Sequence, residues 1–144
     1  MKPLKLLPLF LSLIFLASCY HSDPEPNDRP FLLSGSSEFG KTYRISFIEV
    51  ELGTLIPKSC VTDNFITYYP NGNYEINEGA TKCDPNDPPA IVGIWEMNSF
   101  ETKIFVTFED SVQVWNIESV DRNNHSISSQ FNEGERIYSL TAFN

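Results

Sequence analysis

The sequence predicts an all-β domain, a closed antiparallel barrel or a sandwich, and three observations carry the prediction. β-Branched and aromatic residues gather in eight short runs, at 41–51, 64–69, 73–78, 90–98, 103–109, 112–118, 124–131 and 136–143. Asn, Gly, Asp and Ser cluster between them, which is the pattern of strands joined by turns. No window shows a sustained helical stripe, and residues 52–59 admit at most a short helical turn.

Ahead of the strands lies a leader. Lys2 and Lys5 give a basic start, and Leu6 to Ala17 is apolar but for Pro8 and Ser12. A bilayer crossing needs about 20 residues, so this shorter run reads as an export signal over residues 1–18. Leu16-Ala17-Ser18-Cys19 resembles the lipobox of bacterial lipoproteins. The resemblance implies cleavage before Cys19, a diacylglyceryl group on its sulfur and acylation of the new amino terminus. It also accounts for an odd number of cysteines, because Cys19 then leaves Cys60 and Cys83 as the only thiols. Each buried methylene contributes ~0.8 kcal/mol, so two or three acyl chains hold a soluble domain at a membrane almost irreversibly. The expected location is the bacterial cell envelope, lipid-anchored, on the periplasmic or surface face of the outer membrane.

Residues 19–144 are enough for one domain with its own core. After Cys19 stand eight Lys or Arg against nineteen Asp or Glu, a side-chain charge of −11. Nucleic acid is excluded as a partner, since phosphate neutralisation needs clustered basic residues. The same charge argues against lying flat on anionic lipid, so the acyl chains do the holding. Residues 19–37 read as the lipidated cysteine and a flexible acidic, proline-rich tether: Pro24, Pro26 and Pro30 stand among Asp23, Glu25 and Asp28, with SGSS at 34–37. The folded domain is expected over 38–144.

The second hairpin is the best determined. In Tyr69-Pro70-Asn71-Gly72-Asn73, Pro70 suits the second position of a type I turn, and Gly72 can take the left-handed conformation that closes a three-residue loop. That loop puts Ile66, Tyr68, Tyr74 and Ile76 on one face and Thr67, Asn73, Glu75 and Asn77 on the other. A two-residue loop would mix Tyr68 with Glu75, so the hydrophobic pattern selects the register. Continued outward, the register brings position 60 opposite 82, within one residue of Cys83. A Cys60–Cys83 disulfide follows for an oxidising compartment; a metal site is the rival reading, but lacks a nearby second pair of ligands.

In 90–98, Ile91, Gly93, Trp95 and Met97 share a side, with Gly93 making room for the indole. Ile104, Val106 and Phe108 alternate with Lys103 and Thr107. Val112 and Val114 compete with Trp115 and Ile117 for the inside, and Tyr138, Leu140 and Ala142 oppose Ile137, Ser139 and Thr141. Asn116, Ser128 and Ser139 suggest wet interior positions.

Three stretches resemble the lipocalin-like domains of bacterial lipoproteins: Lys41-Thr42-Tyr43-Arg44-Ile45, the Cys60-to-Gly72 segment with its Asp63-Asn64 and Asn71-Gly72, and Gly79-to-Asp84 followed by Gly93-Ile94-Trp95. The resemblance spans about residues 32–144 and implies an up-and-down antiparallel barrel of about eight strands with one disulfide. It implies no reaction. Tyr43 stands where the family often has tryptophan.

No catalytic set, metal site or cofactor is expected. His125 reads as an exposed turn residue, and no Gly-x-Ser-x-Gly, His-Glu-x-x-His or phosphate loop occurs. Asp84-Pro85-Asn86-Asp87-Pro88 lacks the spacing of a calcium loop. Two readings remain. In one, Tyr43, Tyr68, Tyr74, Trp95, Trp115 and Tyr138 line a site for a small apolar or amphipathic molecule, their rings supplying apolar area and a polar tip. In the other, these rings fill the interior, and a disulfide-stapled module meets an envelope protein through its surface.

Overall fold

The computed structural model describes residues 28–109, 111–132 and 134–143. The leader and Cys19 lie outside the described residues.

The chain runs α1 (Arg29–Ser34), β1 (Lys41–Val50), β2 (Gly53–Leu55), α2 (Ser59–Thr62), β3 (Phe65–Tyr68), β4 (Asn73–Asn77), β5 (Ala90–Met97), β6 (Lys103–Phe108), β7 (Ser111–Val120), β8 (Asn124–Phe131) and β9 (Gly134–Ala142). Strands β3 to β9 form an antiparallel meander, and β1 pairs with β3 through residues 41–43 and with β9 through residues 43–50. Eight strands thereby close into an up-and-down barrel. Bulges between Ile45 and Phe47 on β1 and between Ile117 and Ser119 on β7 add the local bend that closure needs. Outside the seam, the Arg44 guanidinium lies 4.2 Å from the ring centres of both Phe65 and Phe143, tying β3 and the end of β9 across β1.

The β3–β4 hairpin has the predicted register, Phe65↔Asn77 through Tyr68↔Tyr74. Its turn closes through Gly72 N donating to the Tyr69 carbonyl and Tyr69 N donating to the Asn73 carbonyl, both at 3.0 Å, with Gly72 at φ 86°. Ile66, Tyr68 and Tyr74 are buried, and Ile76 packs against them. The Cys60–Cys83 bridge forms, with Cα atoms 5.1 Å apart. It anchors the 78–89 excursion, which Thr81 N donating to Asp63 Oδ2 (2.9 Å) and Glu78 N donating to the Pro89 carbonyl (3.0 Å) also hold. Within that excursion the Asp84 carboxylate accepts from Asn86 N and Nδ2, so the acidic turn satisfies itself. Among the described residues no group of three His, Cys, Asp or Glu could hold a metal ion.

Four expectations need correction. The tether ends sooner than predicted, because residues 29–34 are a helix. Pro30 fixes φ at its start and Gly35, at φ 72°, ends it. Six residues cannot sustain a helix alone; α1 persists because Leu33, only 1% exposed, plugs one end of the barrel. Residues 52–59 begin with strand rather than helix: Glu51 and Leu52 make a two-residue turn into β2, and the helical turn falls at α2. Gly93 makes room for Phe108, since a Cβ there would meet the Thr107 carbonyl oxygen and the Phe108 ring. Asn116, Ser128 and Ser139 face outward; Ser128 is nonetheless buried, donating to Glu118 Oε1 at 2.6 Å beside the β7 bulge. Trp115 and Ile117 take the inside of β7, leaving Val112 and Val114 exposed.

The disulfide closes a segment of 23 residues, for which loop entropy gives ~3 kcal/mol. Replacing both cysteines with alanine is expected to lower the melting temperature by several degrees. A calorimetric melt of the variant beside the oxidised protein, with thiols titrated in both, checks this.

Candidate ligand site at the open end

The barrel has two unlike ends. The closed end, with α1 and the β3–β4, β5–β6 and β7–β8 turns, is filled by rings. Tyr68 is their hub, edge-to-face with Tyr74 (5.0 Å), Trp95 (5.5 Å), His125 (5.7 Å) and Tyr43 (6.1 Å). The polar tips of two of these rings are satisfied: Tyr43 Oη points to the carbonyls of Leu32 (3.1 Å) and Leu33 (3.0 Å), and Trp95 Nε1 donates to the Tyr69 carbonyl (2.9 Å). Lys41 Nζ reaches the Leu32 and Arg122 carbonyls, latching α1 to the β7–β8 turn. Burial raises the Tyr43 phenol, aided by Asp121, and raises the Tyr74 phenol. It raises the Tyr68 phenol as well, with Tyr74 and Tyr43 adding. These phenols stay protonated and act as packing.

His125 is not an exposed turn residue. It stands at the inner start of β8 against Tyr43, ring centres 4.4 Å apart, and is fully buried. Neither ring nitrogen has a hydrogen-bond partner among the described residues. Burial, with the Lys41 ammonium adding, pushes its pKa from 6.5 to about 3, so the imidazole is neutral.

The open end is built differently. Trp115, Phe131 and Tyr138 meet on the inner face, Trp115 and Tyr138 at 5.4 Å and Phe131 at 6.5 Å from each. All three keep solvent exposure, Phe131 at 37%. The Arg136 guanidinium lies 4.9 Å over the Phe131 ring. At the same end of the barrel, between the start of β5 and the β6–β7 turn, a cleft of about 550 Å³ is lined by Pro88, Ala90, Ile91, Val92, Phe108, Glu109 and Ser111; none of the three rings lines it. β5 and β6 pair only from Ile94↔Thr107 toward the closed end, and the cleft lies where Ala90–Val92 has no partner on β6.

The six predicted ring residues thus divide. Tyr43, Tyr68, Tyr74 and Trp95 are core at the closed end; Trp115 and Tyr138 reach the open one. Phe131 and Arg136 were missed. Phe131 ends a strand next to a turn, where alternation loses its phase; its spacing from Ser129 and Ile127 on β8 was the signal that would have found it.

No family model matches the chain, and no curated protein matches it in sequence. Among solved structures, a lipocalin-like protein from Bacteroides uniformis superposes with a TM-score of 0.52 at 7% identity, covering 74% of this chain and all of that one. The likeness is one of fold. The architecture is a lipocalin-like barrel.

His125 makes stability depend on pH with a definite sign. Its folded pKa lies below its unfolded one, so the unfolded chain takes up a proton that the fold refuses. The stabilisation is complete above pH 6.5 and falls as pH drops toward 3, by up to about 1.4 kcal/mol per unit. Urea unfolding of the wild type and His125→Leu at pH 7 and pH 5 is expected to show the larger acid loss in the wild type.

Proposed function

We propose that this protein is a lipid-anchored component of the bacterial cell envelope whose barrel binds a small apolar or amphipathic molecule at its open end. One observation carries the binding reading. Rings at the closed end are buried in the core, whereas Trp115, Phe131 and Tyr138 stay partly exposed at the open end, which also carries a cleft of about 550 Å³. That volume lies within the range of small-molecule sites. Aromatic rings there offer apolar area at low entropic cost, and the likeness to a lipocalin-like fold supports binding in general. The anchor reading rests on the leader and on Leu16-Ala17-Ser18-Cys19. The proposed role is carriage or sensing rather than a reaction.

A second reading has its own support. The closed-end rings fill much of the interior, and the outer face of β5 and β7 exposes Val92, Ile94, Val112 and Val114. An envelope protein docking there would need no small ligand.

A dansyl-labelled fatty acid, titrated against the purified barrel, separates the two. Trp115→Ala and Phe131→Ala are each expected to weaken binding about tenfold, ~1.4 kcal/mol, and Ile94→Ser to leave it unchanged. Equal affinity in all four proteins would remove the open end as the site. For the anchor, Cys19→Ala is expected to move the chain from the membrane pellet to the soluble fraction in cell fractionation.

A further inference from the structure

We infer that the closed end of the barrel is the face set against the lipid surface, with Phe31, Phe39 and Phe100 entering the bilayer interface; this rests on the anchor reading above. The three rings are 58%, 78% and 79% exposed, so none of them serves the core. They stand on α1, on the α1–β1 connection and in the β5–β6 turn, all at one end of the molecule. Arg29 Nη1 donates to the Glu101 carbonyl at 2.9 Å, joining α1 to the turn that carries Phe100. Pro30, Pro70, Gly72 and Glu101 border one shallow depression there, so helix and turns make a continuous surface.

Covalent geometry selects the lipid as the occupant. Asp28 leads into α1 at this end, and Cys19 lies nine residues before it. The chain between them can span at most about 30 Å. The other exposed apolar group is Leu52, Leu55 and Ile56 at the β1–β2 tip, with Leu52 99% exposed. The ten residues of β1 alone extend roughly 33 Å from the closed end. The tip would meet lipid only with the connection stretched along the wall, whereas the closed end reaches it with chain to spare.

Charge points the same way. Arg29, Lys41, Lys103 and Arg122, half of the basic residues after Cys19, sit at this end with Asp28, Glu38, Glu101 and Asp121, which leaves the end close to neutral. The walls and open end therefore carry most of the excess negative charge. An end-on seat keeps them away from headgroups, in keeping with a domain too acidic to lie flat. It also turns the Trp115–Phe131–Tyr138 mouth away from the bilayer.

The test uses the full acylated chain in phosphatidylcholine vesicles containing a lipid with a nitroxide on its headgroup. A fluorophore is placed through Ser99→Cys at the closed end or Thr54→Cys at the tip. The closed-end label is expected to be strongly quenched and the tip label not. Changing Phe31, Phe39 and Phe100 together to Ser is expected to abolish the quenching while the chain still floats with the vesicles. Vesicle-bound protein with both labels quenched alike, or with closed-end quenching that survives the triple change, overturns the inference and leaves the anchor standing. Protein that does not float at all overturns the anchor reading and the inference together.

Discussion

Strand β1 is hydrogen-bonded along both edges, to β3 at its start and to β9 over most of its length, and the barrel exists because it is. A meander of strands left open would present two raw edges and a half-covered apolar face. Closing it buries Tyr43 and Ile45 of β1 against Tyr68 and Leu140 and brings Arg44 between two phenylalanine rings. The same strand carries Lys41 and Tyr43, which hold the carbonyls of α1, so the plug at the closed end depends on β1 as well. Beyond the seam, β1 extends into the β1–β2 tip, where the pairing is short and exposed.

The asymmetry between the two ends comes from side-chain supply. At the closed end Tyr43, Tyr68, Tyr74, Trp95 and His125 form a continuous edge-to-face set, roofed by Leu33. Rings packed in this way gain about 0.5–1.5 kcal/mol per pair beyond their area. Toward the open end the interior contributes Gln113, Ser129 and Gly134, which cannot fill the same space. The rings there have fewer neighbours and remain wet on one side. A filled floor and a shallow mouth are thus one sequence distributed unevenly along the barrel axis.

The sequence made the hairpin legible because three constraints agreed on it: Pro70 and Gly72 defined the loop, alternation defined the face, and Cys60 with Cys83 fell where the register placed them. Each of the eight long strands was visible for the same reason of period. What was hidden depends on contacts distant in sequence. α1 looked like a spacer because Pro24, Pro26 and Pro30 read alike, and only the barrel end that accepts Leu33 distinguishes Pro30 as a helix start. His125 follows two asparagines and looks like a turn, yet the β8 register against Leu140 turns it inward. Ser128 is polar but faces out, and its burial comes from a bulge that shifts Glu118 over it. Of the candidate site, Trp115 and Tyr138 were legible as rings, whereas the line between core and mouth required the register of the whole sheet.

The pairing of β1 with β9 also fixes how the chain must assemble. The β3–β4 hairpin joins Phe65 to Asn77, a local contact that its own turn and disulfide favour. The seam joins Ile45 to Leu140, with most of the domain between them. By the logarithmic law for closing a flexible loop, the seam costs about 2 kcal/mol more entropy than the hairpin before any contact offsets it. The ladders of the meander join strands adjacent in sequence, so this seam is the longest-range pairing that the described strands make. Until β9 is in place, β1 has no partner along most of one edge, so the barrel cannot close before residues 134–142 are available to it.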